Sequence, residues 1–233
     1  MALFVLGDTH LSLGASKPMD IFPGWNDYVE RLEKNWRKLI KPEDTIVLAG
    51  DISWAMRLTD TRKDFEFLQS LPGQKIIMKG NHDYWWNTVS KMKRITDNAF
   101  EFIFNSALSV ENIALAGTRG WIPETSKKIT EEDKVIILRE QGRLERSLIE
   151  AEKFNCEKIF AILHYPPFDE QRRPTKMMEI MRSHGVTDCI YGHIHGKQNF
   201  NNLPKELEGI QLHLTSSDYL DFKPLLLTEW NES

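Results

Sequence analysis

Aspartate, histidine and asparagine recur in five short segments of this chain, each able to offer oxygen or nitrogen to a metal ion. They are Asp8 and His10 in GDTH, Asp51 in GDIS, Asn81, His82 and Asp83 in GNHD, His164 in HYPP, and His193 and His195 in GHIHG. One Asp-x-His or His-x-His is usually a hydrogen-bonded turn. Five of the seven histidines fall in these segments, however, and the other two, His184 and His213, read as a surface helix residue and a strand residue. So many polar groups brought together and partly buried would be costly without a compensating cation. Imidazole, carboxylate and amide oxygen without thiolate suit Mn, Fe, Zn, Co or Ni, and carry too much nitrogen for Ca or Mg. The ligands suffice for two ions if one carboxylate bridges them, and Asp51, alone in its segment, is the natural bridge.

The elements that must position these residues follow an α/β rhythm. Short apolar runs, ALFVL, TIVLA, KIIM, IFAIL and DCIY, each end at one of the five segments. Between them, Asn26–Ile40, Asp60–Leu71, Tyr84–Ile95 and Lys134–Phe154 repeat apolar residues at three- and four-residue steps, as amphipathic helices do. Ligands in open α/β sheets bind beyond the carboxyl ends of strands, so five loops at five strand ends predict one shared site. The stretches 101–118 and 209–230 read as strand following strand, which predicts a mixed sheet or two packed sheets. Three loops, 11–26, 118–130 and 166–174, are long enough to cover a site.

Composition narrows the partners. A chain of 233 residues, 41% of them hydrophobic, can build one substantial core, and a single domain over 1–233 is expected. The net charge of −4 gives no field to collect nucleic acid or an anionic membrane, so nucleic acid and membrane are not expected partners. Cys156 and Cys189 form no close-spaced pair, which fits reduced thiols and a cytoplasmic protein. The opening MALFVLGDTH reads as a first strand, too short for a signal peptide or a membrane span.

In that order, GDTH, GD, GNHD, H and GHIH resemble the signature of the calcineurin-like metallophosphoesterase superfamily, from Asp8 to His195. The resemblance implies an α/β/β/α sandwich of two mixed sheets flanked by helices. It implies a first metal on Asp8, His10 and His195, a second on Asn81, His164 and His193, and Asp51 between them, with Mn the favoured ion. Two such ions clamp a phosphoryl group and acidify a shared water that attacks phosphorus. His82 is then the general acid for the leaving oxygen, worth about 10²- to 10⁴-fold in rate, or else a hydrogen-bond donor to substrate phosphate. Asp83 is expected to orient His82.

GDISWAM lacks the Asp-Arg-Gly of the protein serine/threonine phosphatases, and Asp83 stands where that branch has Glu. The pattern is closer to bacterial-type phosphodiesterases and small-molecule phosphohydrolases. The expected substrate is a small phosphorylated molecule, a nucleotide among the candidates, with a diester favoured over a monoester. A non-catalytic scaffold and a nuclease are the competing readings. The first is disfavoured because every ligand and His82 are present, the second because no basic groove is evident. Trp85 and Trp86 are expected in the core or packing a helix begun by YWW. Arg119, Trp121, Arg172 and Arg173 could grip phosphate or stack on a base, but solvated surface is the expectation for each, as it is for the run Lys91–Ile95.

Overall fold

A computed structural model describes residues 1–230. Two sheets lie face to face. The first has the order β11-β1-β2-β3-β4, with β1 (Ala2–Leu6), β2 (Thr45–Ala49), β3 (Gln74–Met78) and β4 (Phe100–Ile103) parallel and β11 (Leu225–Glu229) antiparallel to β1. The second has the order β5-β6-β7-β8-β10-β9. Here β6 (Ile113–Thr118), β7 (Lys158–Leu163), β8 (Val186–Tyr191) and β10 (Ile210–Leu214) run parallel. Antiparallel β5 (Ala107–Val110) and β9 (Glu206–Leu207) close its two edges.

Strands covered on both faces read as near-continuous apolar runs, and β1 and β2 are buried throughout, with Thr45 at the start of β2 the single polar residue. Alternate residues serve two cores. Leu3, Val5, Val47, Ile76, Phe160 and Ile162 meet between the sheets. Phe4, Leu6, Ile46, Leu48 and Ile77 face outward against α1 (Tyr28–Leu39), α2 (Arg62–Ser70) and α3 (Val89–Ile95). The far face of the second sheet packs on α4 (Glu131–Glu152) and α5 (Lys176–Ser183). The architecture is therefore the four-layer α/β/β/α sandwich, built of two mixed sheets.

Two local expectations change. YWW does not begin the helix, because backbone turns run through Tyr84 and Trp86 and α3 starts only at Val89. Trp85 is nonetheless core, and Trp86 packs against it. The segment KMMEIMRS after the third long loop is helix α5, its methionines buried. At the start of α4, Thr130 and Asp133 form a reciprocal capping box, which fixes that helix three residues earlier than its apolar period suggests. No helix among the described residues is long and apolar enough to cross a membrane.

Candidate metal centre

Each parallel strand delivers its loop to the same edge. Asp8, His10 and Asp51 sit in the left-handed backbone region, as does His193 (φ 45–70°). Asp, Asn and His tolerate that region best among residues with a side chain. The loops hold one another: Asp8 N–H donates to Gly50 O at 2.9 Å, His10 N–H to Asp51 O at 3.0 Å, and Gly7 N–H to Thr215 O at 2.7 Å. Glycine is required where they cross, since a Cβ at Gly80 would overlap Asp51 and one at Gly192 would overlap the Asp8 carboxylate.

Asp83 sits fully buried beneath this crossing. One of its oxygens accepts from the N–H of Gly80 at 2.7 Å and of Asp51 at 2.9 Å. The other accepts from Ile52 at 2.9 Å, Ser53 at 3.3 Å and the Trp85 indole at 2.9 Å. Asp83 is thus not the partner of the His82 ring, as adjacency in sequence suggested. It is the acceptor that shapes the second and third loops, and it holds the Trp85 indole within the turns that precede α3. Burial pushes its carboxyl up to about 6, with Asp51 adding to the shift and the amide donors opposing it.

Above this base the seven candidate ligands converge. His195 Nε2 lies 3.2 Å and His10 Nε2 4.0 Å from Asp8 Oδ1. His164 Nε2 lies 2.7 Å and His193 Nδ1 2.9 Å from Asn81 Oδ1. Asp51 Oδ2 reaches both groups, at 3.8 Å from His10 and 3.4 Å from His164. The atoms of Asp8, His10 and His195 lie mutually within 4.8 Å, and so do those of Asp8, Asp51 and His164.

The donor chemistry fits cations. His164 Nδ1 donates to Ala49 O at 3.1 Å and His195 Nδ1 to Asp218 Oδ1 at 2.9 Å. That fixes each ring so that Nε2 turns its lone pair toward oxygens, the orientation a metal ligand needs. Burial disfavours charge on both rings, yet facing carboxylates overcome it and raise His164 to about 9 and His195 to about 10. Asp8 and Asp51 are correspondingly held below the usual carboxylate range: burial opposes this, and His195 and His164 respectively prevail. Burial pushes His10 and His193 down to about 4, leaving them neutral with a lone pair to give. The centre draws in positive charge, which a divalent ion would supply in place of the imidazole protons.

A profile of the calcineurin-like phosphoesterase family matches residues 1–197. The chain belongs to this family. Solved structures agree on the fold of this calcineurin-like phosphoesterase. A protein of unknown function from Aquifex aeolicus aligns at 18% identity over 97% of this chain and 95% of its own, with TM-score 0.53. A phosphopantetheinyl hydrolase from Mycobacterium tuberculosis aligns at 12% identity over 97% and 95%, TM-score 0.55. A protein from Thermus thermophilus, TT1561, aligns at 11% identity over 97% of both chains, TM-score 0.56. No curated protein sequence matches the chain.

Members of the family typically hold two divalent metals, and this phosphoesterase chain has Asp/His groups that could bind them. His82 stands at their rim. Its backbone N–H donates to Asp51 Oδ1 at 2.7 Å, its ring lies 4.6 Å from that of Trp54, and its Nδ1 is buried without a partner. Burial lowers its pKa, Asp51 opposing. Beyond His82 opens a cleft of about 690 Å³, with Met19, Phe22, Trp25 and Trp54 on its apolar wall and Asp51, His82 and His195 at its polar end. The loop 11–26 supplies much of that wall.

Sequence reasoning missed Asp218. It follows β10 in TSSD, accepts from His195 Nδ1 and from Gly196 N–H at 2.9 Å each, and thereby fixes one ligand. Of the residues expected on solvated surface, Arg173 ion-pairs with Asp169 while remaining 62% exposed, and Arg172 lies over the Phe168 ring. Arg119 differs: its side chain is only 15% exposed and faces Glu140, with Trp121 beneath it. His184 caps α5 between Glu145 and Glu152 of α4, and His213 in β10 pairs with Asp188 at 2.8 Å.

Proposed function

We propose that this phosphoesterase hydrolyses small phosphodiesters with an apolar or aromatic group on one side of phosphorus. The observation that carries the reading is the aromatic cleft, which opens directly onto the ligand cluster with His82 at the junction. A phosphoryl group placed against the cluster leaves one ester arm to lie along Trp54 and Trp25. Aromatic walls recognise such an arm by contact area and stacking geometry. A diester keeps an arm on phosphorus for that wall after the leaving group departs, whereas a monoester's single arm is the leaving group itself.

Asp8, His10, His195, Asn81, His164 and His193 are the residues to hold two divalent ions, Mn favoured, with Asp51 between them. Such ions supply Lewis-acid charge against the phosphoryl oxygens and an acidified water as nucleophile. The protein's own contributions are positional. Ala49 O and Asp218 aim two imidazoles, and Asp83 sets the loops that carry Asp51 and Asn81. His82 is placed to give a proton or a hydrogen bond to the leaving oxygen. Its unpartnered Nδ1 and its position at the cleft mouth support that role. The free thiols Cys156 and Cys189 suit a reducing compartment, and we place the protein in the cytoplasm.

The test is hydrolysis of bis-p-nitrophenyl phosphate and of p-nitrophenyl phosphate by metal-stripped protein, with Mn, Fe, Zn, Co or Ni restored singly. The expected result is metal-dependent cleavage of the diester in preference to the monoester. Preference for the monoester would refute the diester reading, and two bound metals with no cleavage of either compound would refute the hydrolase reading for such small esters.

A further inference from the structure

A second cavity, of about 360 Å³, opens at the carboxyl ends of β3, β4 and β6 and shares no lining residue with the aromatic cleft. It lies toward the β4 and β6 sides of the two sheets, whereas the cleft lies toward β1 and β10. Its wall carries Lys79, Arg119, Arg139 and Arg143 around a single carboxylate, Glu140.

That carboxylate is already fully used. Glu140 is wholly buried, accepts from Arg143 Nη1 at 2.6 Å and from the Thr118 hydroxyl, and faces Arg119 Nη2 at 3.6 Å and Arg139 Nε at 3.9 Å. Among the described residues, no other carboxylate lies within ion-pairing distance of these four cations. Three positive charges are left over in a chain whose net charge is −4.

Two buried donors lack an acceptor in this cavity, Arg119 Nε and the Trp86 indole Nε1. Neither group can accept, native proteins rarely leave such donors orphaned, and a small side-chain shift toward the cavity would bring each to an incoming acceptor. Planar guanidinium forks match the oxygens of a phosphoryl group, and a dianion offsets the surplus charge better than a carboxylate would. The cavity is compact, with no groove to track a polymer.

We propose that this cavity binds a phosphoryl dianion at a site separate from the metal ligands. The same loops build both places. Lys79 stands two residues before Asn81, and Arg119 O accepts from the N–H groups of His164 and Tyr165 at 3.0 Å each. A group held here therefore sits beside the metal centre. It is either a second phosphate on the substrate or free phosphate. The binding itself does not depend on the hydrolase reading, and only the first source does.

The experiment is calorimetric titration of inorganic phosphate into metal-loaded protein, freed of excess metal, for the wild type, Asp51→Asn and Arg139→Gln/Arg143→Gln. Arg139→Gln/Arg143→Gln should weaken the site by about tenfold or more, whereas Asp51→Asn retains it. Arg139→Gln alone guards against misfolding, because Arg139 is half exposed and reaches Glu140 only at 3.9 Å. It should show a smaller loss that Arg139→Lys partly restores. Equal phosphate affinity with and without the Arg139→Gln/Arg143→Gln change, both in the wild type and in the Asp51→Asn background that disables the metal centre, would overturn the proposal.

Kinetics with p-nitrophenyl phosphodiesters of thymidine, with and without a second phosphate, separate the sources. A wild-type preference in kcat/KM for the doubly phosphorylated compound, lost in the Arg variants, assigns the site to substrate. Equal kcat/KM with phosphate binding intact assigns it to free phosphate. Absence of all turnover would count against the hydrolase reading and leave the titration decisive.

Discussion

Asp83 and Asp218 are both carboxylates outside the ligand set, and both hold the metal centre, but they grip different parts of the chain. Asp83 is fully buried and accepts from four backbone amides and an indole, so it fixes where two loops run. Asp218 is near the surface of the site and accepts from one imidazole and one amide, so it fixes how one ligand is turned. The difference teaches that support for a site can be structural or local. Losing the first kind should cost the fold, and losing the second should cost affinity alone.

The sharpest way to break that contrast is Asp83→Ala. Five donors would lose their acceptor in a dry interior, and the expected loss of stability is on the order of 4 kcal/mol, some of it recovered by entering water. Urea unfolding of the metal-free protein measures it, and a loss below about 1 kcal/mol would dissolve the distinction. Next comes His82, whose ring neither carboxylate touches. His82→Ala should lower turnover of bis-p-nitrophenyl phosphate by about 10²- to 10⁴-fold while both metals stay bound by elemental analysis. A wild-type rate would remove His82 from the chemistry.

Asp218→Ala should reduce metal affinity by about 10- to 100-fold, read by competition with a chelating dye, with an unfolding free energy within about 0.5 kcal/mol of wild type. Were it to unfold the protein as Asp83→Ala does, the two carboxylates would be one class. The smallest effect belongs to Trp54, whose ring stacks on His10 at 4.9 Å and lines the cleft. Trp54→Leu should raise KM for an aromatic diester by about tenfold or less, with a smaller change for an alkyl diester. Equal changes for both esters would mean that the wall contributes bulk and not stacking.

Much of this was legible in the sequence, for a physical reason. Metal ligands are polar residues that sit directly after apolar strands, so type and position together announce them. The four-layer fold was legible through its signature motifs, and the late strand-rich stretches pointed to a second sheet. Asp218 left no such mark, since an Asp after a strand in TSSD looks like any turn, and its partner lies 23 residues away. Asp83 was misread because it neighbours His82, yet consecutive residues in a turn point apart. Arg119 looked like surface because the carboxylate it faces lies on α4, beyond the reach of any local pattern. The YWW segment follows helical periodicity but lies in turns, with the Trp85 indole bonded to Asp83. Local propensity yields to such tertiary bonds.

The tie between Gly7 and the segment 215–217 has a consequence for how the protein comes to exist. Gly7 donates to Thr215 O, and the Ser217 hydroxyl donates to Gly7 O at 2.7 Å, while β11 zips along β1. During synthesis the peptide holding the first ligand leaves the ribosome long before the residues that brace it. Contacts of such sequence separation form late and slow the search for the native state. Metal loading should accordingly be a late event of biogenesis, set by the emergence of residues 215–229 rather than by that of the ligands.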